Sequence, residues 1–358
     1  MACRSALLVF QVYLIMKMKF RFTPIICFAL VLLSAGGVVL AQDRPDFSER
    51  VSASEPATSA TEPASQPLSE SSIPQSQPAD VPASQPATEP TTAPADAPAE
   101  IVAAFQRGME LYQAGKLLEA RDALSEVFFT YKLSAKQQEQ ALAALTDIAE
   151  KTLLSGKVYE GDPYAFSHTI TKGDTLTKIV AREQCGVTPT IIEKINNVSA
   201  TTLRVGQSIK LLRGPAFAVV DKDTFVMDLY FQRAGQPKTF VRQVRVSLGR
   251  DGGTPIGSWI VKSKAPRAMW TPPPSMPNSK PVAWGQAGYP LGKEGYWISL
   301  AGTDENTRTR TGYGLHGTDE PDSIGKAASH GCVRLNDEDI ELVYSLMAER
   351  ISTVVIKP

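Results

Sequence analysis

Cysteine and histidine are scarce in this chain: 358 residues contain four of the first and three of the second. Net charge is absent as well, with 37 basic residues against 37 acidic ones. That balance argues neither for a nucleic-acid binder nor for a membrane-surface protein, so the target is expected to be found by specific contacts. Cys3 and Cys27 fall in the N-terminal leader, which leaves Cys185 and Cys332. Two thiols so far apart make a poor disulfide framework. Metal binding lacks support too, because Cys332 and His330 have no second pair at ligand spacing. No metal and no cofactor is expected.

Residues 42–99 lack large apolar side chains almost entirely and consist of Pro, Ala, Ser and Thr with scattered acids. Such a stretch cannot bury enough surface to offset its backbone entropy, so a disordered linker is expected there. At roughly 3 Å per residue it could hold a domain well over 100 Å from a membrane. Ahead of it, residues 1–41 carry a basic start, an apolar run from Pro24 to Leu40, and Val39-Leu40-Ala41 as a small-residue cleavage pattern. This order reads as a secretory signal peptide, with translation beginning at Met16 or Met18. The alternative is an uncleaved anchor in the inner membrane. No Cys follows the cleavage pattern, which argues against a lipoprotein. The expected location is outside the cytoplasm, in the periplasm or the wall.

Residues 100–158 show apolar side chains at helical spacing: Phe105, Met109, Tyr112, then Leu117, Ala120, Leu124, Phe128. Gly115 separates the first helix from the second, and Ser134 is placed to cap a third. The series Gly108, Leu111, Gly115, Ala120, Leu124 resembles one tetratricopeptide repeat. One repeat cannot form a solenoid, so a small helical docking piece for an unknown protein partner is expected.

Over residues 166–213 a short strand, the turn "KGDT", two amphipathic helices and a closing strand "SIKLL" follow one another. This β-α-α-β unit is similar to a LysM module, a small fold that binds N-acetylated glycans. The likeness rests on Gly173-Asp174-Thr175-Leu176, Ile179, Ile192, Asn196-Asn197 and Leu203-Arg204-Val205-Gly206-Gln207. It implies a sugar site formed by Gly173, Asp174, Thr175, Leu176, Leu203 and Val205. His168 stands where the family often has Tyr, and reads as a surface strand residue. Cys185, just before Gly186, reads as a small packed side chain.

Residues 216–358 alternate short strands with turn clusters, so a mainly-β domain is expected. "DEDIELVYSLMAER" is the exception, a helix capped by Asn336 or Asp337 with Ile340, Val343, Tyr344 and Met347 on one face.

The chemistry concentrates in "YGLHGTDEPDSIGKAASHGCVRL", residues 313–335, which holds two of the three histidines and one cysteine. A thiol becomes a useful nucleophile when a neighbouring base or positive field favours its thiolate. Gly331 permits a tight turn before Cys332, so backbone amides can face a developing oxyanion. His316, sixteen positions upstream, is the candidate base, and the intervening "DEPDSIGKAA" reads as a loop able to cover the site.

This stretch resembles the signature of the L,D-transpeptidase (YkuD-type) catalytic domain: His-Gly, a spacer, then Ser-His-Gly-Cys, an apolar residue and Arg. The likeness extends through "VRVSLGRDGGTPIGSWIV", "MWTPPPSMP" and "STVVIKP". It implies a β-sandwich with Cys332 as nucleophile, His316 as general base and the Gly317 carbonyl orienting the imidazole. The amides of Gly331 and Cys332 would hold the oxyanion, while His330 and Ser329 would support substrate or loop geometry. Arg334 would hold a substrate carboxylate or form a structural salt bridge. Trp270 would line the groove or pack in the core, and Tyr313 belongs to the same substrate-binding set.

The implied reaction is two-step acyl transfer on peptidoglycan, in the service of wall biogenesis and cell shape. Cys332 attacks a tetrapeptide stem, D-alanine leaves, and a neighbouring amine resolves the thioester into a 3→3 cross-link. Water as acceptor would give an L,D-carboxypeptidase, and a protein lysine an anchoring transpeptidase. The rival from another class is a non-catalytic wall-binding scaffold. The expected partners are peptide stems and glycan strands.

Overall fold

The structure is a computed structural model and describes residues 97–273 and 276–358. The expected leader and almost all of the expected linker lie outside the described residues.

Three helices come first: α1 (Ala99–Gln113), α2 (Leu117–Phe128) and α3 (Ala135–Thr152). Gly108 lets α1 and α2 touch, since a Cβ there would come within 2.6 Å of the Leu124 side chain. Ser134 caps α3 by accepting the Gln137 amide, and the Gln137 side chain accepts the Ser134 amide in return. This reciprocal pair satisfies two of the donors that a helix start leaves open.

Next come β1 (Ala165–Thr169), α4 (Leu176–Arg182), α5 (Pro189–Asn196) and β2 (Ser208–Leu212). The two strands pair antiparallel from Ala165↔Leu212 to Thr169↔Ser208. Thr175 caps α4, and Pro189 opens α5, where its missing N–H costs nothing.

The C-terminal part contributes β3 (Ala216–Asp221), β4 (Val226–Phe231), β5 (Thr239–Arg245), β6 (Leu248–Gly249), β7 (Gly257–Ala265), β8 (Trp297–Gly302), β9 (Gly314–His316), β10 (Ala327–Ser329), β11 (Val333–Arg334), helix α6 (Asp337–Leu346) and β12 (Thr353–Lys357). Eight strands form one sheet in the order β11-β9-β8-β7-β12-β3-β4-β5, and β6 pairs with β10. The sheet curls so far that its two ends meet: Ser247, just past β5, exchanges both backbone hydrogen bonds with Arg334 of β11 at 2.9 Å each. Alternate residues such as Trp259, Val261, Ile298, Leu315 and Val333 fill the interior at 4 % exposure or less. Asn336 caps α6 by accepting the Asp339 amide at 2.8 Å.

The helices cover the β5 edge of this sheet. Ser125 Oγ accepts the Phe240 amide at 3.0 Å, Phe128 packs edge-on against Phe240, and Phe129 against Tyr230. An edge strand otherwise exposes unpaired backbone groups that invite aggregation. Phe128, from the apolar stripe that suggested a docking piece for another protein, therefore packs on the chain's own sheet.

Two buried charged groups fasten these parts together. Arg121, fully buried on α2, makes two parallel hydrogen bonds to Asp162 at 3.0 and 3.1 Å. Lys210 of β2 is 1 % exposed and donates to the carbonyls of Thr152, Ser155 and Lys157 at the end of α3. Burial pulls the Lys210 ammonium down to about 8. On the other side, Thr188 donates its amide to Ser345 of α6 at 2.8 Å, and Lys194 pairs with Glu341. The β1–β2 unit is thus clamped between the helices and the curled sheet.

Candidate active site

His316 ends β9 and Cys332 immediately precedes β11, and these strands run parallel with Leu315 opposite Val333 and His316 opposite Arg334. Leu315 and Val333 face inward and are buried. Strand alternation turns His316, Cys332 and Arg334 to the opposite face. Cys332 is level with Gly314, one strand across and two residues back from His316. That offset places the two Cα atoms about 8 Å apart by strand spacing and rise, a gap that an imidazole and a thiol together span.

The imidazole is held on two sides. Gly317 O lies 2.6 Å from His316 Nδ1, and a carbonyl can only accept, so Nδ1 carries the proton. Nε2 keeps its lone pair. Trp297, opposite His316 on β8, stacks its ring on the imidazole at 5.4 Å and 22°. Gly314 makes room for that indole, since a Cβ there would come within 2.8 Å of it. Burial pushes His316 down to about 4; the Gly317 carbonyl opposes the fall and the Arg334 charge adds to it.

Cys332 is half-buried, so the residue keeps an open face. Burial pushes the thiol up to about 11, against the opposing pull of the Gly314 amide and the Arg334 charge. Its proton is donated to Gly312 O at 3.5 Å. At neutral pH the pair is therefore a thiol and a neutral imidazole, an arrangement for proton transfer during attack. The transfer requires the sulfur to turn from Gly312 O towards Nε2.

The turn 329–332 is built by hydroxyls. Ser329 Oγ accepts the Gly331 amide at 3.0 Å and donates to Cys332 O at 2.6 Å. This corrects the expectation for Gly331: its amide is already spent on Ser329 and is not open to an oxyanion. The Cys332 amide, in contrast, has no protein acceptor among the described residues. Gly331 is required for another reason, because at φ 134° a Cβ would press within 2.9 Å of the Tyr313 ring. Tyr313 lies under the turn and against Trp259 at 5.2 Å, so it acts as a floor. His330 is exposed and makes no hydrogen bond among the described residues.

Arg334 pairs with Glu320 at 2.6 Å, which is the structural salt bridge of the two roles expected for it. Trp270 is half-buried in the excursion between β7 and β8, held by a backbone pair with Val282. No hydrogen bond or ring contact joins it to Cys332 or His316 among the described residues. The segment 319–328 runs through a short 3-10 turn and is tied to Val246 and Leu248 by backbone bonds at 2.9 and 3.1 Å. A cavity of about 590 Å³ opens beside Thr318, with Trp284, Tyr289, Lys293, Asp319 and Asp337 in its walls.

The sugar-site residues divide as well. Gly173, Thr175 and Val205 are exposed, the last at 70 %, and Leu203 is half-buried. Leu176 is 3 % exposed and belongs to the core, so its side chain is not available to a glycan. The Asp174 carboxylate is spent locally: it accepts from Arg182 and from the amide and hydroxyl of Thr171, each at 2.9 Å. The Arg182 bond, with those from Thr171, holds the Asp174 carboxyl well below the usual carboxylate range. His168 sits beside Asp174 and Glu183 on the strand surface.

Trp297, Gly312 and Thr254 were not singled out by the sequence. Trp297 stands in a segment that reads only as a strand, and its place over His316 follows from a pairing across nineteen positions.

Comparison with known proteins agrees with this layout. Residues 215–356 match the L,D-transpeptidase catalytic domain YkuD, and residues 168–211 match the LysM domain. The chain is 34 % identical over 86 residues to the Bacillus licheniformis protein named "Putative L,D-transpeptidase YkuD", covering 24 % of this chain and 41 % of that one. It is 32 % identical over 103 residues to "Putative L,D-transpeptidase YqjB" of Bacillus subtilis, covering 28 % and 52 %. The chain thus spans about half or less of the length of the curated relatives it matches. Among solved structures, an L,D-transpeptidase from Mycobacterium smegmatis aligns at 13 % identity and TM-score 0.29, over 58 % of this chain and all of that one. The helical cell shape determining protein Pgp2 from Campylobacter jejuni aligns at 15 % and 0.28, over 40 % and 47 %. The chain therefore carries a YkuD-type L,D-transpeptidase catalytic domain at residues 215–356, preceded by a LysM domain at residues 168–211.

Proposed function

We propose that this protein is a peptidoglycan L,D-transpeptidase that forms 3→3 cross-links through a thioester on Cys332, with LysM binding to glycan bringing it to its substrate. The observation that carries this reading is the imidazole of His316, its Nδ1 held 2.6 Å from Gly317 O, on the strand beside Cys332.

In the first step Cys332 gives its proton to His316 Nε2 as the sulfur attacks the carbonyl carbon of the third stem residue. The tetrahedral oxyanion takes the Cys332 N–H. Its collapse breaks the C–N bond, and the departing D-alanine amine takes the proton back from His316. In the second step an acceptor amine gives a proton to Nε2 as it attacks the thioester carbonyl, and the sulfur leaves with that proton. His316 thus serves as base and then acid in each half, and Gly317 keeps the tautomer correct throughout.

LysM contributes by mass action. A glycan held at the exposed tip near Val205 raises the local concentration of peptide stems. The pairing of a LysM domain with an L,D-transpeptidase domain supports a function at the cell wall, outside the cytoplasm.

Mass spectrometry of products from purified tetrapeptide muropeptides tests the reading. A dimer joined through two third residues, formed by the wild type and absent with Cys332→Ala, is the expected result. Tripeptide alone would replace cross-linking with hydrolysis as the activity, and no D-alanine release would remove the enzyme.

A further inference from the structure

We infer that Thr254 is a positioning residue for acyl transfer: its hydroxyl fixes the Gly331–Cys332 peptide so that the Cys332 N–H faces the carbonyl under attack. The inference rests on Cys332 being the nucleophile.

Thr254 is 1 % exposed and lies 77 positions before Gly331. Its Oγ1 accepts the Gly249 amide at 2.7 Å and donates to Gly331 O at 2.9 Å. A hydroxyl has a single proton, and an N–H can only donate. The Gly249 bond takes a lone pair, so the Thr254 proton is left for the Gly331 carbonyl. The hydroxyl's orientation is thus set by the backbone on one side and read by the nucleophile turn on the other.

That carbonyl shares a planar trans peptide with the Cys332 N–H, and the two groups point in opposite directions. Holding one fixes the other. Ser329 ties down the Gly331 amide and the Cys332 carbonyl. With Thr254 on the Gly331 carbonyl, three of the four backbone groups of Gly331 and Cys332 are assigned, and only the Cys332 amide is left to receive charge. A hydrogen bond on the carbonyl also polarises the peptide and makes its N–H a stronger donor.

The surrounding loop is held to this purpose. Lys222 Nζ donates to Thr254 O at 2.8 Å, and Gly253 donates to Arg250 O at 2.8 Å. Gly249 and Gly331 both lie against the loop, where a Cβ would come within 2.7 Å of Gly253 C and 3.0 Å of Gly253 O respectively. The hydroxyl bonds therefore act across a contact with no slack.

The test compares two reactions of Cys332 in the full chain. Acylation by a carbapenem develops an oxyanion, whereas alkylation by iodoacetamide does not. Both are followed as mass added to the intact folded protein, in wild type, Thr254→Val, Thr254→Ala and Thr254→Ser. The hydroxyl-free variants should acylate roughly tenfold to a hundredfold more slowly, short of the loss seen when an oxyanion donor is deleted outright. Their alkylation should stay near the wild-type rate, and Thr254→Ser should restore acylation. Wild-type acylation in either hydroxyl-free variant, or an equal fall in both reactions, would overturn the role of Thr254. A wild-type protein alkylated at Cys332 but never acylated there would instead remove the proposed function itself.

Discussion

Cys185 and Cys332 are two thiols whose burial disfavours the thiolate. Burial raises each to about 11. Cys185 is fully enclosed at the end of α4, where its amide bonds Val180 O and its carbonyl accepts the Gly214 amide. Glu183 nearby pushes its thiol further in the same direction. Cys332 keeps an open face, a neutral imidazole on the next strand, and a backbone amide with no protein acceptor among the described residues. A raised pKa therefore does not separate the two cysteines. Access, a base with a free lone pair, and an uncommitted donor do.

The largest effect that separates the two cysteines is loss of chemistry. Cys332→Ala should abolish acyl-enzyme formation, and Cys185→Ala should leave it intact while costing about 1 kcal/mol of packing. Acylation by mass and urea unfolding measure the two sides. Removing only the base should leave a residue of activity: His316→Gln should slow acylation about a hundredfold or more, the range expected for general-base loss. A comparable fall in the Cys185→Ala protein would erase the distinction.

The clamp between the parts sharpens the comparison from the side of stability. Arg121→Met strands the buried Asp162 carboxylate and should cost about 3–5 kcal/mol in unfolding. The folded fraction should still acylate at the wild-type rate. Deleting the LysM segment is a poor probe, because Lys210 and Thr188 join it to α3 and α6.

His316 also predicts a pH dependence. Its folded value of about 4 lies below the unfolded 6.5, so the unfolded chain binds the extra proton between those values. Stability should be full above pH 6.5 and fall as pH drops towards 4, by about 3 kcal/mol in all. His316→Asn should flatten that part of the curve measured by urea titration. The acylation rate should hold level through neutrality and fall only towards pH 4; an inflection near 6.5 would contradict the burial of the imidazole. The smallest effect belongs to the sugar tip. Val205→Ser should weaken retention on glycan a fewfold by removing exposed apolar area, measured by sedimentation with sacculi.

Much of this was legible in the chain because it is written in local patterns. Strand alternation, the caps at Ser134 and Asn336, and the Cys332–His316 spacing all lie within a few residues or one motif. Hydrogen-bond assignment was not legible. Ser329 takes the Gly331 amide, Asp174 serves its own turn and Leu176 faces inward, and these follow from geometry that composition does not fix. Thr254 and Trp297 reach the site through pairings between distant strands, so no short stretch announces them. The helices gave a true period but not the identity of the surface they cover.

The most direct measurement is the mass of the intact protein quenched with acid shortly after mixing with tetrapeptide muropeptide. The account predicts one adduct equal to the muropeptide less D-alanine, mapped to the peptide containing Cys332, with one D-alanine released per adduct. Turnover with no adduct on Cys332, or an adduct on Cys185, would contradict it.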